Sequence, residues 1–131
     1  MGTREGLMLL DTCALLWLAE GRRISRPVLK QIETAPSLCL SAISAFEIAL
    51  KVHGGKLTLS GPVLVWINDV IAHHGISMLP LDADICVKAA GLPPVHADPC
   101  DRCIIATALI HGFPVVTADE RFADYGVEII F

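Results

Sequence analysis

The sequence has no glycine-rich phosphate loop and no Gly-x-Ser-x-Gly elbow, which argues against a nucleoside-triphosphate enzyme and against a serine hydrolase. It has no uninterrupted apolar run near the ~20 residues that a membrane span requires. Leu7 to Ala19, behind Arg4, imitates a signal-peptide core, but Asp11 interrupts it. Met1-Gly2 lacks the Ser or Thr at position 6 that goes with myristoylation. These absences predict a soluble, cytoplasmic protein with no membrane partner. Aromatic residues are only 5% of the chain and form no aromatic-basic stripe, so a stacking platform for single strands is not expected. Basic residues are not in excess either, since the formal charge is −4. No linker-like segment, long charge run or internal repeat breaks the chain.

What remains is 131 residues at 53% hydrophobic composition, which suits a single domain over residues 1–131 with one core. The five cysteines, Cys13, Cys39, Cys86, Cys100 and Cys103, cannot all pair. Four lie in runs that read as core helix or strand, so buried, reduced thiols are expected.

Short apolar runs alternate with helical segments. Leu7 to Leu10 reads as a buried strand that hands over, at Asp11-Thr12, to a helix ending near Ala19. Pro27 opens a helix to about Thr34, and Leu38 to Leu40 is a second strand. Ser41 or Ser44 caps a helix from about Ala42 to Val52, which stops before Gly54-Gly55. An amphipathic helix follows Gly61-Pro62 to about His74, then a strand at Ile76 to Met78, a helix from Asp82 to Ala90 and a loop from Gly91 to Pro99. Asp98-Pro99 starts a helix to about Gly112, and Pro114 to Thr117 and Val127 to Ile130 are the last strands. All-apolar strands alternating with helices predict a three-layer α/β/α sandwich around a mainly parallel sheet.

Four carboxylates stand where carboxylates are costly. Asp11 and Asp119 lie just past the ends of apolar strands, at the edge of a parallel sheet where ligands bind, although each also suits a helix N-cap. Glu47 falls in the stripe Ile43, Phe46, Glu47, Leu50, which is expected to face the core. It needs a partner there, either a cation or a base such as Lys51 or Lys56. Asp101 shares a face with Ile104, Ile105 and Ala108, and it also suits the first turn of a helix capped by Asp98. Four acids with oxygen chemistry alone make a site for magnesium or manganese, and such a site best supports hydrolysis of a phosphodiester. Setting these four aside leaves ten acids against ten bases, so the acidic excess is local.

Rival signals are weaker. Cys100 and Cys103 have the spacing of a redox dithiol at a helix N-terminus, where the first thiol's pKa could fall, but the pair lies late in the chain and encloses Asp101. Zinc would need a second ligand pair, for which Cys86 and His96 are poor candidates. The histidines lie on helix ends and loops; His96 alone is near a motif, where a loop-ordering hydrogen bond is its expected role. A non-catalytic binding module for RNA or a protein partner, keeping the fold and the acidic cleft, is the alternative function. The apolar residues Val63, Leu64, Trp66, Ile67 and Val70 suit either helix packing or a partner surface.

Four separated segments, taken together, resemble the PIN-domain family and more narrowly its VapC-type toxins. They are Leu9-Leu10-Asp11-Thr12, Ser41 to Ala49 around Glu47, His96 to Arg102 around Asp101, and Val116-Thr117-Ala118-Asp119. The resemblance implies a parallel-sheet sandwich that cleaves RNA with magnesium or manganese, usually as a homodimer inhibited by a small antitoxin. Asp11, Glu47, Asp101 and Asp119 would be the metal-binding acids, with Thr12 and Thr117 as hydroxyls beside the site. Cys100 stands where members of the subgroup often have an aromatic residue. Arg22, Arg23, Lys51, Lys56 and Arg102 are the basic residues available for RNA phosphates.

Overall fold

Apolar strands of this kind are stable only when both faces are covered, and the architecture follows from that demand. The computed structural model describes residues 6–131, so the readings placed on Met1-Gly2 and Arg4 lie outside it. Strands β1 (Leu7–Leu10), β2 (Ser37–Ser41), β3 (Ile76–Leu79), β4 (Val115–Val116) and β5 (Ile129–Ile130) form one sheet in the order β3-β2-β1-β4-β5, with every pair parallel. Successive side chains of a strand point to opposite faces. Met8, Leu10, Leu38, Leu40 and Val116 therefore enter a core shared with α1 (Thr12–Glu20), α2 (Arg26–Thr34) and α4 (Val63–His74), which supply Leu15, Ile32 and Ile67. Leu9, Cys39 and Val115 enter the opposite core, against Ile104, Ile105 and Ala108 of α6 (Pro99–His111) and Phe122 of a 3-10 turn over Glu120–Tyr125. Helix α3 (Ala42–His53) gives Ile48 to the first core and Ile43 to the second, and α5 (Ala83–Gly91) packs Ile85 and Ala89 against Ala106 of α6. The expected three-layer α/β/α sandwich is the observed one.

Strand order fixes where a site can form. The chain moves outward from β1 through β2 and β3, then returns to lay β4 on the other side of β1. The carboxyl ends of β1 and β4 are thus a topological switch point, where the flanking connections diverge and leave a crevice.

The structure departs from the sequence expectations in four places. The stripe Ile43, Phe46, Glu47, Leu50 meets the core only at Ile43: Phe46 and Leu50 are 56% and 52% exposed, and the buried residues of α3 are Ser44 and Ile48. A count of apolarity overlooks small residues, but Ser44 is hydrogen-bonded within contact of Thr12 and lets α3 approach α1 closely. Of the cysteines only Cys39 is buried, and Cys13 and Cys86 are exposed because their helices turn these positions outward; all five thiols are free, as expected. Strands β4 and β5 are each two residues long, shorter than expected. The 3-10 turn between them is too short to carry a 3.6-residue pattern and was not among the expected elements. On α4, Ile67 is buried and Val63, Trp66 and Val70 pack on the first core, whereas Leu64 and Val65 stay exposed. No helix among the described residues is long and apolar enough to cross a membrane.

Candidate active site

Asp11 follows β1 directly and caps α1, its Oδ1 accepting the Ala14 N–H at 2.7 Å. Its Oδ2 accepts the Thr117 hydroxyl at 2.6 Å. With only 6% of the residue exposed, burial raises the Asp11 pKa; the bonds from Thr117 and Ala14 oppose the rise, and the charges of Glu47 and Asp119 add to it. Thr117 also accepts the Asp119 N–H at 3.0 Å, so one hydroxyl ties the end of β1 to the segment leaving β4.

Asp119 caps the 3-10 turn and is gripped by Arg121. Its Oδ1 accepts the Arg121 N–H and Nε–H, both at 3.0 Å, and its Oδ2 accepts from the guanidinium at 2.8 Å. This side-chain bond holds the Asp119 carboxyl down at about 2, against the opposing effect of burial. Asp101, in the first turn of α6, has the opposite balance. Burial first, then the charges of Asp98 and Glu47, push its carboxyl up to about 7, although His96 acts to lower it.

Glu47 leans in from α3. Thr12 Oγ1 lies 2.7 Å from Glu47 Oε1 and 2.9 Å from Ser44 Oγ. A hydroxyl has one proton and a carboxylate only accepts, so Thr12 donates to Glu47 and Ser44 completes the chain by donating to Thr12. The Lys51 ammonium stands 4.0 Å from Glu47 Oε2, one helical turn on.

These residues share one cleft of about 400 Å³, lined by Asp11, Thr12, Cys13, Trp17, Glu47, Lys51, Asp98, Asp101, Ala118 and Asp119. All four acids singled out in the sequence thus meet at the switch point, with Thr12 beside them and Thr117 beneath. For Asp11 and Asp119 the two alternatives were capping and a ligand site, and one residue serves both descriptions because a helix starts where the strand ends. Asp98 is the N-cap of α6, accepting the Cys100 N–H at 2.9 Å, and it also lines the cleft. Lys56 lines the adjoining hollow with Leu50, Lys51 and Cys100.

Arg22, Arg23 and Arg102 are not brought to the cleft. Arg22 and Arg23 lie in the exposed bend after α1, at the far end of that helix, and Arg22 pairs with Glu20. Arg102 points away from solvent phosphates: its guanidinium donates to the carbonyls of Ala89, Ala90, Leu92, Pro93 and His96. The dithiol reading fails on electrostatics. Burial, with Glu47 and Asp98 close by, pushes the Cys100 thiol up to about 11, and burial raises Cys103 as well, so neither offers a ready thiolate.

Two further residues of the site carry little signal in the sequence. His96 is 3% exposed, with Nε2 at 2.9 Å from Asp119 Oδ2 and 3.0 Å from Asp101 Oδ2. It does order its loop as expected, Nδ1 accepting the Asp98 N–H at 3.2 Å, but it also reaches the acids. The signal was its position just before the Asp98-Pro99 helix start. Arg121 was not singled out; its place two residues after a capping Asp was the only cue.

A divalent cation suits this donor set. Asp101 and Asp119 bring carboxylate oxygens together beside His96, the three side chains placing their polar atoms within 4.8 Å of one another. Asp11 and Asp101 are both displaced upward, by burial first and by the charges of neighbouring acids after it. Carboxylate oxygens in that number match hard cations such as magnesium or manganese.

Known proteins match this chain over most of its length. A family model described as PIN domain matches residues 8–128. Ribonuclease VapC22 of Mycobacterium tuberculosis (strain ATCC 25618 / H37Rv) is 35% identical over 120 residues, covering 90% of this chain and 91% of the relative. Among solved structures, FitAcB from Neisseria gonorrhoeae aligns with a TM-score of 0.63 at 22% identity, over 95% of this chain and 96% of that one. The VapBC2 structure from Rickettsia felis, bound to a DNA fragment from its promoter, aligns with a TM-score of 0.68 at 13% identity, over 95% and 97%.

Proposed function

This chain belongs to the PIN domain family, and on that premise we propose that it is a divalent-metal-dependent ribonuclease, the toxin of a type II toxin–antitoxin pair. The observation that carries the reading is the meeting of Asp11, Glu47, Asp101 and Asp119, from four separate elements, in one cleft at the switch point of the sheet. Support for RNA as the substrate comes from the relative at 35% identity, which is named a ribonuclease.

Asp11, Glu47, Asp101 and Asp119 would hold the magnesium or manganese. When bound, such an ion polarises a phosphoryl oxygen and makes water a competent nucleophile near neutral pH. The chain's own residues set up that chemistry. Thr12 and Thr117 each fix one oxygen of a carboxylate, so Glu47 and Asp11 need little reorganisation when substrate arrives. Arg121 keeps Asp119 ionised. Lys51 and Lys56, on one side of the cleft, offer ammonium groups to phosphates flanking the scissile one.

A small cognate antitoxin is the proposed regulatory partner, in line with the toxin–antitoxin complexes that share the fold, and a homodimer is the proposed assembly. Leu64 and Val65, 68% and 54% exposed on α4, supply apolar surface for such contacts. The compartment proposed is the cytoplasm.

The test is cleavage of a mixed structured RNA by the purified chain with magnesium or manganese, with EDTA, and with Asp11→Asn and Asp101→Asn variants alongside. Cutting that needs the metal and is lost in both variants is the expected result. Cutting that survives EDTA or both substitutions would overturn the assignment of the site.

A further inference from the structure

Residues 92–98 join α5 to α6 without a helix or strand, yet they are fastened from two sides. Arg102 donates to carbonyls on both sides of the turn, including Leu92 at 2.6 Å and His96 at 3.0 Å. The Tyr125 hydroxyl donates to the Pro93 carbonyl at 2.6 Å and accepts the His96 N–H at 2.8 Å. Backbone held this way delivers the His96 imidazole inward, edge-on to the Phe122 ring at 6.0 Å between centroids. Its Nδ1 is already an acceptor, for the Asp98 N–H, so the neutral ring carries its proton on Nε2. That Nε2 faces one oxygen of Asp119 and one of Asp101.

We infer that His96 is a positioning residue of the acidic site, its Nε2–H holding Asp101 and Asp119 together against their mutual repulsion while Arg102 and Tyr125 lock the segment that carries it. The inference rests on the reading that these acids hold a divalent cation. Two carboxylates on different elements, one on α6 and one after β4, have no covalent reason to keep a fixed separation. The Nε2–H standing between them, bonded to Asp119 and 3.0 Å from Asp101, supplies one. The ring is buried beneath the carboxylates and offers the cleft a proton rather than a lone pair, so it acts through Asp101 and Asp119. Groups that orient metal ligands in this manner typically cost about 10–100-fold in metal affinity when lost.

The experiment is calorimetric titration of manganese into the full chain as wild type, His96→Leu, His96→Gln, Tyr125→Phe and Asp11→Asn, with melting in EDTA for each. Long-range proton–nitrogen spectra of the histidine ring, with and without magnesium, accompany it. His96→Leu fills a similar space beside Phe122 and is expected to bind manganese about 10–100-fold more weakly while melting cooperatively. His96→Gln, whose amide N–H can reach the same oxygens, is expected to recover most of the loss, and the wild-type ring to keep its Nε2 proton at saturating magnesium. Wild-type affinity in His96→Leu overturns the inference, as does loss of the Nε2 proton on adding magnesium, which would make the ring a direct ligand. If His96→Leu does not fold, Tyr125→Phe carries the test, since it frees the segment but leaves the ring; unchanged affinity there overturns the inference equally. Wild-type protein that binds no manganese, or binds it no better than Asp11→Asn does, would bring down the metal site itself. Intact binding in His96→Leu, lost in Asp11→Asn, brings down the positioning role alone.

Discussion

Thr117 and Asp11 lie 106 residues apart in sequence, and the hydroxyl of one sits 2.6 Å from a carboxylate oxygen of the other. That bond is one of two opposing the upward displacement of the buried Asp11 pKa. Thr117→Val keeps the shape and removes the donor, leaving a buried carboxylate short of a partner. Such a loss typically destabilises by about 1–3 kcal/mol. Manganese affinity is expected to fall with it, because a proton then competes better for Asp11, and Thr117→Ser should recover both. Urea denaturation and metal titration check this; a Val variant matching wild type in both would remove Thr117 from the site.

Asp101 gives a pH signature in the absence of metal. Its carboxyl is raised from 3.8 to about 7 on folding, with burial the main cause and Asp98 and Glu47 adding. Below the unfolded value both states are protonated and the group is neutral toward folding. Between the two values the folded chain binds the proton more tightly, so its contribution falls as pH rises, and above about 7 the full penalty stands. Asp101→Asn lacks this titration. In EDTA the variant's melting temperature should therefore gain on wild type from about pH 4 up to about pH 7 and hold its advantage beyond. Adding manganese should reverse the order, because a ligand that binds only the native state stabilises it. A difference between the two proteins that does not vary with pH would contradict the raised pKa.

The strands, the helix starts and the four acids were legible because each leaves a local mark: apolar runs such as Leu7 to Leu10, a Ser or Asp before a helix, an acid where an apolar residue is the norm. Sheet order was not, since nothing local in Val115-Val116 says that it pairs with β1 rather than with β3. Glu47 stands out in the sequence for a reason that holds only in part. The face it was assigned to is exposed at Phe46 and Leu50, and the residue earns its place through the Thr12 hydrogen bond instead. His96 depends on tertiary approach, across 23 residues to Asp119, and a hydrogen bond formed only by folding leaves no spacing to read; Arg121 grips Asp119 from two residues away, a spacing too common in sequences to mark it.

Arg102 illustrates the same limit, and its correction can be tested. Five carbonyls, two in the last turn of α5 and three in the loop after it, accept from its guanidinium, a fan of donors that a lysine ammonium cannot match. Arg102→Ala should destabilise the fold by about 2–3 kcal/mol, and Arg102→Lys should recover little of that. The salt dependence of RNA binding, measured where both proteins remain folded, should not change. A variant with native stability but a shallower salt dependence would instead return Arg102 to the phosphate-binding residues.

Of the basic residues named for RNA in the sequence, Lys51 and Lys56 border the acidic cleft and its adjoining hollow whereas Arg22 and Arg23 do not, so phosphate contacts are expected at the lysines. Each contact between a cation and a phosphate of single-stranded RNA releases counterion, so losing one contact lowers the slope of log affinity against log salt by about 0.7. Lys51→Ala and Lys56→Ala, each in an Asp11→Asn background to prevent cutting, should show that decrease. Arg22→Ala and Arg23→Ala should leave the slope unchanged. Lys51 carries a second consequence, because its ammonium stands 4.0 Å from Glu47 and partly offsets the acidic charge before any metal arrives. Removing it should weaken RNA binding while strengthening manganese binding, two effects of opposite sign from one substitution. RNA slopes that respond to Arg22 and Arg23 rather than to the lysines would move the RNA path to the far end of α1 and sever it from the four acids.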